Sequence, residues 1–475
     1  MGSTFRSGIL AVLLASTMAT GVAFVATVSQ AAEVAGPVSE AEAYSIGREG
    51  YDFLFPLVTM DLTRRAQMTA ASAAEKPRVA GANTFWHWPA FPPGEFRAVV
   101  RPNFDTLYSM AWVDVSKGPV TLTIKPGMDR YYLLPLMDMW TDVYAVPGTR
   151  TMGQAGAKFL FVSRDWKGKA PADTEVIRAP TTLSWLLARI QTNGPKDYAH
   201  IHELQQAITL TPSVPNRGGP EIDAALDRKT PPARIMGGMG ADQFFAEAAR
   251  LTGLYAAHDV DQPVLARLGR IGFRPGQPFD LTRQPPAVQS ALKRAVADGI
   301  ATLRGSGQSS GQRRGTWTYQ SGNLGAYGGD YRTRAAVALG GLGANRIEDA
   351  IYPATAMDAD GKPLTGATRY VMHFDKGATP PAGAFWSLTA YDVEGFPIQT
   401  PERRYAVGDR DPLVYNTDGS LDLYIGATAP ADPSRKANWL PTLADPFTLT
   451  MRIYLPRAEV LDGRWSAPPV TPVRP

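Results

Sequence analysis

Apolar and polar residues alternate most clearly near the end of the chain, where Phe447, Leu449, Met451, Ile453 and Leu455 interleave with Thr448, Thr450, Arg452 and Tyr454. A period of two marks a half-buried strand, because successive side chains leave a strand on opposite faces. Strand patterns also cover 369–374, 384–393 and 420–425. The same period governs 85–144, where Val120, Leu122 and Ile124 alternate with Thr121, Thr123 and Lys125. Pro126-Gly127-Met128-Asp129 then turns the chain into Arg130-Tyr131-Tyr132-Leu133-Leu134, which predicts a hairpin inside a larger sheet. Shorter strands are predicted at 156–164 and 175–179.

Helical spacing replaces this alternation elsewhere. Ser39-Glu40-Ala41-Glu42 is a capping box, with the serine hydroxyl placed for an early helix N–H and Glu42 reaching back to the cap. The helix it opens carries Tyr44, Phe53, Leu54, Leu57 and Val58, should kink at Pro56, and should end near Arg64-Arg65. Helical patterns recur at 183–191, 197–208, 241–257, 263–268 and 287–303, the last with Val288, Leu292, Val296, Ile300 and Leu303 on one stripe. Residues 305–315, GSGQSSGQRRG, read as a connector.

A chain of 475 residues exceeds one ordinary core, and its 45 glycines and 40 prolines favour many turns over a helical bundle. The predicted fold class is α+β multi-domain: two antiparallel β-sandwich, jelly-roll-like lobes with a helical middle segment. The predicted divisions are a signal peptide at 1–32, an N-terminal domain at 38–210, a helical middle and connector at 211–315, and a C-terminal sandwich at 316–475. A partial echo between TLYSMAWVD with RYYLLPLMD and RYVMHFD with AFWSLTAYD suggests duplicated lobes.

Arg6 precedes an apolar run, Ile9 to Val28, followed by Ser29-Gln30-Ala31. That order predicts a secretory signal cleaved near Ala31 or Ala32 and a periplasmic or secreted mature protein with no membrane span, an uncleaved anchor being the alternative. The absence of cysteine excludes disulfides and thiolate chemistry. A net charge of +4 without a Lys/Arg block argues against nucleic acid as a partner.

Two blocks carry long, specific motifs. The first includes Asn103-x-Asp105-Thr106-Leu107-Tyr108-Ser109, Arg130-Tyr131-Tyr132, Asp138 and Gly148-x-Arg150-Thr151; the region from about Tyr44 to Leu210 resembles the domain of unknown function numbered 1254. The second includes Ala384-Phe385-Trp386-Ser387-Leu388-Thr389-x-Tyr391-Asp392, Arg404-Tyr405-x-x-Gly408-Asp409-Arg410 and Asn438-Trp439-Leu440-Pro441; from about Tyr352 to Pro468 it is similar to the partner domain numbered 1214. The resemblance implies a multi-domain fold with sandwich lobes and a helical insertion, in proteins that are often exported. It implies no agreed substrate and no catalytic residue.

The residues themselves offer candidates. Asp138, Trp140, Asp142 and Tyr144 share parity, so one unbroken strand would present all four on a face. With Asn103, Asp105, Tyr108 and Arg150 they suit a pocket, since aromatic faces stack on sugars or cations while carboxylates take their hydrogen bonds; a structural network at the domain junction is the plainer alternative. In the C-terminal domain, His373 is expected to face the other lobe and to line a cleft with Trp386, Tyr391, Asp392, Arg404 and Asp409, where a His–Asp pair would supply acid–base chemistry; a core histidine beside an Arg404–Asp409 ion pair is the alternative.

Other motifs weigh less. Gly307-Gln308-Ser309-Ser310-Gly311 matches a nucleophile-elbow string but lacks the preceding strand. His200 and His202 lie two apart on a predicted helix and so point about 200° apart. His258-Asp259 reads as a helix C-terminal dipole partner. Asp358–Gly361 and Asn416–Asp422 begin like calcium loops but read as hairpin turns, and calcium at the second is the one cofactor candidate.

Two functions follow, with a calcium-stabilised scaffold, its oxygen ligands converging near Asp418 and Asp422, as a third reading. In the first, the protein is an exported hydrolase or lyase acting on a polar, carbohydrate-like small molecule between the lobes. Asp105, Asp138, Asp142 and His373 would be its acid–base groups, and Arg150 or Arg404 would hold an anion; carboxylates about 5–10 Å apart would support a glycoside-type mechanism. In the second, it is a non-catalytic ligand-binding or envelope protein, with Asn103, Tyr108, Trp140, Tyr144, Trp386 and Tyr391 recognising a ligand that is not turned over. Converging, desolvated acids favour the first.

Overall fold

Ser39 caps the first helix as its sequence predicts, accepting the Glu42 N–H at 3.2 Å. The helix, Glu40–Met68, continues through Pro56 and past the expected end at Arg64-Arg65. Tyr51, Phe53, Leu54, Phe55, Leu57, Val58 and Met60 are all buried, so it is apolar around most of its circumference, as a central helix must be. Helices Pro232–Gly238, Ala241–Leu254, Gln262–Arg270, Pro286–Gly305 and Tyr331–Gly340 pack around it. At Gly47 a Cβ would lie 2.6 Å from Leu292 Cδ2, so glycine sets how closely the first helix approaches Pro286–Gly305.

This computed structural model describes residues 37–473 except 71, 73–78, 80, 98–99, 216–220, 229, 306–310 and 321. The expected signal peptide, and most of the elbow-like string at 307–311, lie outside the described residues. Val38–Pro475 form one compact unit. No helix among the described residues is long and apolar enough to cross a membrane.

The N-terminal lobe is a sandwich of two sheets. One orders Trp86–His87, Thr106–Asp114, Leu183–Gln191, Leu136–Asp138 and Val143–Ala145, with Tyr132–Leu133 also on Leu183–Gln191. The other orders Ile208–Pro212, Val120–Ile124, Ala157–Val162 and Glu175–Arg178. Leu107, Leu122, Ile124, Phe161, Leu186, Ala188 and Ile190 fill the space between them. The C-terminal lobe repeats the plan. Its larger sheet centres on Phe447–Pro456 and Ala382–Asp392, the smaller on Leu421–Gly426 and Tyr370–Phe374, and Met372, Phe374, Leu388, Leu423, Met451 and Ile453 lie between them. The structure is therefore the expected α+β multi-domain fold, with sandwich lobes and helices between them in sequence.

Three expectations change. Residues 183–191 form a strand, because Leu183–Gln191 is buried on both faces and a continuous apolar run suits a doubly covered central strand as well as a helix. Val120–Ile124 and Tyr132–Leu133 do not pair as a hairpin: they belong to opposite sheets, and the Pro126–Asp129 turn carries the chain from one to the other. The partial echo fails topologically, since Thr106–Asp114 and Leu136–Asp138 share a sheet whereas Tyr370–Phe374 and Ala382–Asp392 do not.

Candidate functional site

Strand parity decides what lies between the lobes. In Leu183–Gln191 the even residues enter the sandwich, so Trp185, Leu187 and Arg189 leave its outer face. Antiparallel register sets them opposite Trp112, Met110 and Tyr108. In Phe447–Pro456 the odd residues enter the other sandwich, so Thr450, Arg452 and Tyr454 leave its outer face. These outer faces, the end of helix Tyr331–Gly340 and the segment Val100–Asn103 wall a cavity of about 510 Å³. The polar half of the last long strand is thus buried in a cleft instead of lying in water.

The charge of that cleft is one-sided. Arg101, Arg189, Arg313 and Arg452 line it, and no carboxylate does among the described residues. Arg189 and Arg452 are only 6% and 4% exposed. Arg452 donates to Thr389 Oγ1 (2.9 Å), the Arg101 carbonyl (3.0 Å) and the Tyr391 hydroxyl (2.7 Å). Arg189 donates to the Gly343 carbonyl at 2.6 Å and to Asn345 Oδ1, and its guanidinium lies 5.3 Å from the Tyr108 ring centre. Arg101 reaches Thr450 Oγ1 at 2.9 Å. Every one of these partners is neutral. Burial, and the like charge of Arg452, pull the Arg101 pKa below its ordinary value against the opposing influence of Tyr391 and Asp392. Arg101 and Leu455 also hold left-handed backbone, φ 52° and 51°, a conformation non-glycine residues adopt at a cost.

A second cavity, about 690 Å³, lies on the other side of the Asn103–Asp105 segment and is lined by Phe104, Asp105, Ser387, Arg404, Tyr405 and Arg410 among others. Here charges are matched. Asp105 is fully buried, accepts the Ser387 hydroxyl at 2.8 Å and pairs with Arg410, which also donates to the Thr192 carbonyl at 2.9 Å.

Asp138 and Asp142 meet elsewhere, against the helices. They do not share the face of one strand: the strand stops at Asp138, the chain turns with Thr141 at φ 72°, and Val143–Ala145 begins anew. Asp138 Oδ1 accepts the N–H groups of Trp140 (2.9 Å) and Asp142 (3.1 Å), and Oδ2 meets His258 Nε2 at 2.6 Å. His258 Nδ1 lies 3.4 Å from Asp261 and 3.5 Å from Asp142. Asp142 takes the Tyr327 N–H at 2.9 Å and fully buried Arg334 at 2.8 Å. Burial opposes the charge on His258, but hydrogen bonds with Asp138 and Asp261 and the charges of Asp138 and Asp142 outweigh it and raise its pKa to about 10. Burial likewise raises Asp142. The ligand atoms of Asp138, Asp142 and His258 lie within 4.8 Å of one another, a spacing a metal ion could use, yet Arg334 and the imidazolium supply positive charge there already.

The other candidates disperse. His373, in strand Tyr370–Phe374 of the smaller C-terminal sheet, is 52% exposed at its side chain on the outer face and bonds Asp422 at 2.6 Å, so it does not face the other lobe. Trp386 points into the C-terminal core against Phe374, whereas Tyr391, of opposite parity, donates to the Pro102 carbonyl at 2.6 Å. Trp140 stacks on Phe53 and donates to the Ala256 carbonyl, and Tyr144 bonds Ser184. Arg150 forms two hydrogen bonds to buried Asp349, 2.7 and 3.0 Å, and Arg404 serves the carbonyls of Lys436, Ala437 and Trp439 and also Asp411. Neither expected anion holder lines the 510 Å³ cleft. In the expected calcium loop, Asp418 accepts Ser420 and Asp422 accepts His373 and Asn416. Asn103 and Tyr108 do line the cleft. Sequence reading missed Arg101, Arg189, Arg452 and Tyr352, and the signal available for one of them was an arginine on the polar half of the 447–455 alternation.

Two β-sandwich lobes closed over a cleft by a helical layer define a class of α+β proteins. Within it, residues 82–212 match the model described as "Protein of unknown function (DUF1254)" and residues 349–458 that described as "Protein of unknown function (DUF1214)"; the chain belongs to the family that pairs these two domains. The crystal structure of the VPA0106 protein from Vibrio parahaemolyticus is similar at a TM-score of 0.66 and 21% identity, covering 91% of this chain and 100% of that one. An uncharacterized protein from Burkholderia cenocepacia aligns over 91% of this chain and 93% of its own at 15% identity and a TM-score of 0.40. At such identities the Vibrio likeness concerns the fold alone. No curated protein matches the chain.

Proposed function

We propose that this protein is an exported small-molecule-binding protein that takes an anionic ligand into the cleft between its lobes. The observation that carries the reading is the lining of that cleft: four arginines, two of them almost fully buried, and no carboxylate among the described residues. Buried charge is normally paired because desolvating an ion is costly, and guanidinium forks suit carboxylate, sulfate and phosphate oxygens. The N-terminal signal pattern supports export.

Binding is preferred to hydrolase or lyase chemistry on a carbohydrate-like substrate. Asp105, Asp138, Asp142 and His373 fall at three separate places. Asp138 and Asp142 do converge, but their oxygens are taken by Trp140, Asp142, Tyr327, His258 and Arg334. The test is calorimetric titration of the full chain with small anions at low and high salt, beside a variant in which Arg101 and Arg189 are both methionine. Binding that weakens with salt and is lost in the variant is the expected result. Binding of neutral sugars with no response to anions would overturn it.

A further inference from the structure

The cleft is graded along its length. At one end Arg189 faces Tyr108 across the strand ladder, and around them a polar net runs from Arg189 through Asn345 to the Tyr352 hydroxyl and from Asn103 to the Tyr454 hydroxyl. Two residues along the same face the pair is Leu187 with Met110, and after two more it is Trp185 with Trp112. A strand rises about 3.4 Å per residue, so the face passes from guanidinium and phenol to thioether, isobutyl and indole over about 13 Å. Ala336, Val337, Leu342 and Met357 add further apolar lining to the cleft, beside the polar Gln67, Thr316, Thr318, Gln320 and Thr333. A free phosphate or acetate would leave that apolar length unfilled, and a neutral oil would leave the arginines unmet.

Resting on the anion-binding reading, we infer that the ligand is an amphiphile: a single anionic head held by Arg101, Arg189 and Arg452, with an elongated apolar body along Leu187, Met110 and Trp185. Desolvating the body against these side chains supplies affinity in proportion to the apolar area covered, while the arginines fix which end enters. Gly340, at the exposed end of helix Tyr331–Gly340, also lines the cleft, and a Cβ built there meets nothing within 4 Å. Because Gly340 is exposed, that open space is at the rim of the cleft, where the apolar body would enter.

Titration calorimetry and thermal shift on the full chain separate the two readings, with decanoate, decyl phosphate, decanamide, acetate and inorganic phosphate as probes. Decanoate or decyl phosphate should bind at least tenfold more tightly than acetate, inorganic phosphate and decanamide, and the preferred head tells carboxylate from phosphate. Gly340→Leu should weaken decanoate at least tenfold and leave acetate unchanged, and Ala336→Phe checks the slot from the previous turn of the same helix. Acetate or phosphate binding as tightly as the decyl probes would overturn the amphiphile and leave the anion site standing. Decanamide matching decanoate would overturn the anionic head and with it the parent reading. No binding by any probe would overturn both.

Discussion

The junction around His258 and the cleft around Arg189 are both buried, polar and built where sandwich meets helix, yet they treat charge in opposite ways. At the junction three carboxylates, Asp138, Asp142 and Asp261, meet one imidazolium and one guanidinium, so opposite charges sit together even though Asp261 Oδ1 and Arg334 Nε and Nη1 have no hydrogen-bond partner. In the cleft the guanidiniums of Arg101, Arg189 and Arg452 meet hydroxyls, carbonyls and an amide. Internal pairing marks a knot that holds elements together. Unpaired like charge marks a place awaiting something from outside the chain. The perturbed pKa values at the junction would point to it first as a site, and the pairing of opposite charges there, absent among the arginines of the cleft, reverses that order.

The comparison breaks most readily at Asp138. Asp138→Ala removes the acceptor of two backbone N–H groups and leaves His258 without its shortest bond, and urea denaturation should show a loss of about 3–5 kcal/mol. Anion affinity of the folded fraction should not change. Next comes pH. With a folded pKa of about 10 against about 6.5 unfolded, His258 stabilises the fold fully below pH 6.5, and that contribution drains away as pH rises through 10. The melting temperature should therefore fall across this window, and His258→Gln should flatten the slope.

Arg150→Ala strips the two-pronged partner from buried Asp349, which ties the N-terminal lobe to the start of the C-terminal domain. Loss of these charged hydrogen bonds should cost about 1–3 kcal/mol by denaturation. The cleft should behave otherwise. Arg101→Met gives up one bond to Thr450 and removes a repelling cation beside Arg452, so the ligand-free protein should change by less than about 1 kcal/mol, while anion affinity should drop about tenfold by calorimetry. A large destabilisation by Arg101→Met would show that its charge serves the fold, and the contrast would collapse.

Much of the fold was legible because its signals are local. The Ser39 cap, the stripe from Val288 to Leu303 and the alternation at 447–455 each depend on neighbours within a few turns or residues. Residues 183–191 were not legible, because leucine-rich runs fit a helix or a doubly buried strand and only the sheets on either side choose. The candidate site was legible in part. Asn103 and Tyr108 line the cleft, whereas Asp138 and Asp142 reach each other through a turn that a strand pattern hides, and His258 joins them from 120 residues away.

By itself the sequence determined where most strands and helices form, that two long motif blocks pair in one chain, and, along unbroken strands, which side chains share a face. Only the tertiary structure decided what covers each face. Alternation separates Thr450, Arg452 and Tyr454 from Leu449, Met451 and Ile453, but it cannot distinguish water from a second lobe as the surroundings of the polar half. That choice is made by long-range packing, and it turns Arg452, on the polar half of the alternation, into a buried charge of the cleft with no carboxylate partner.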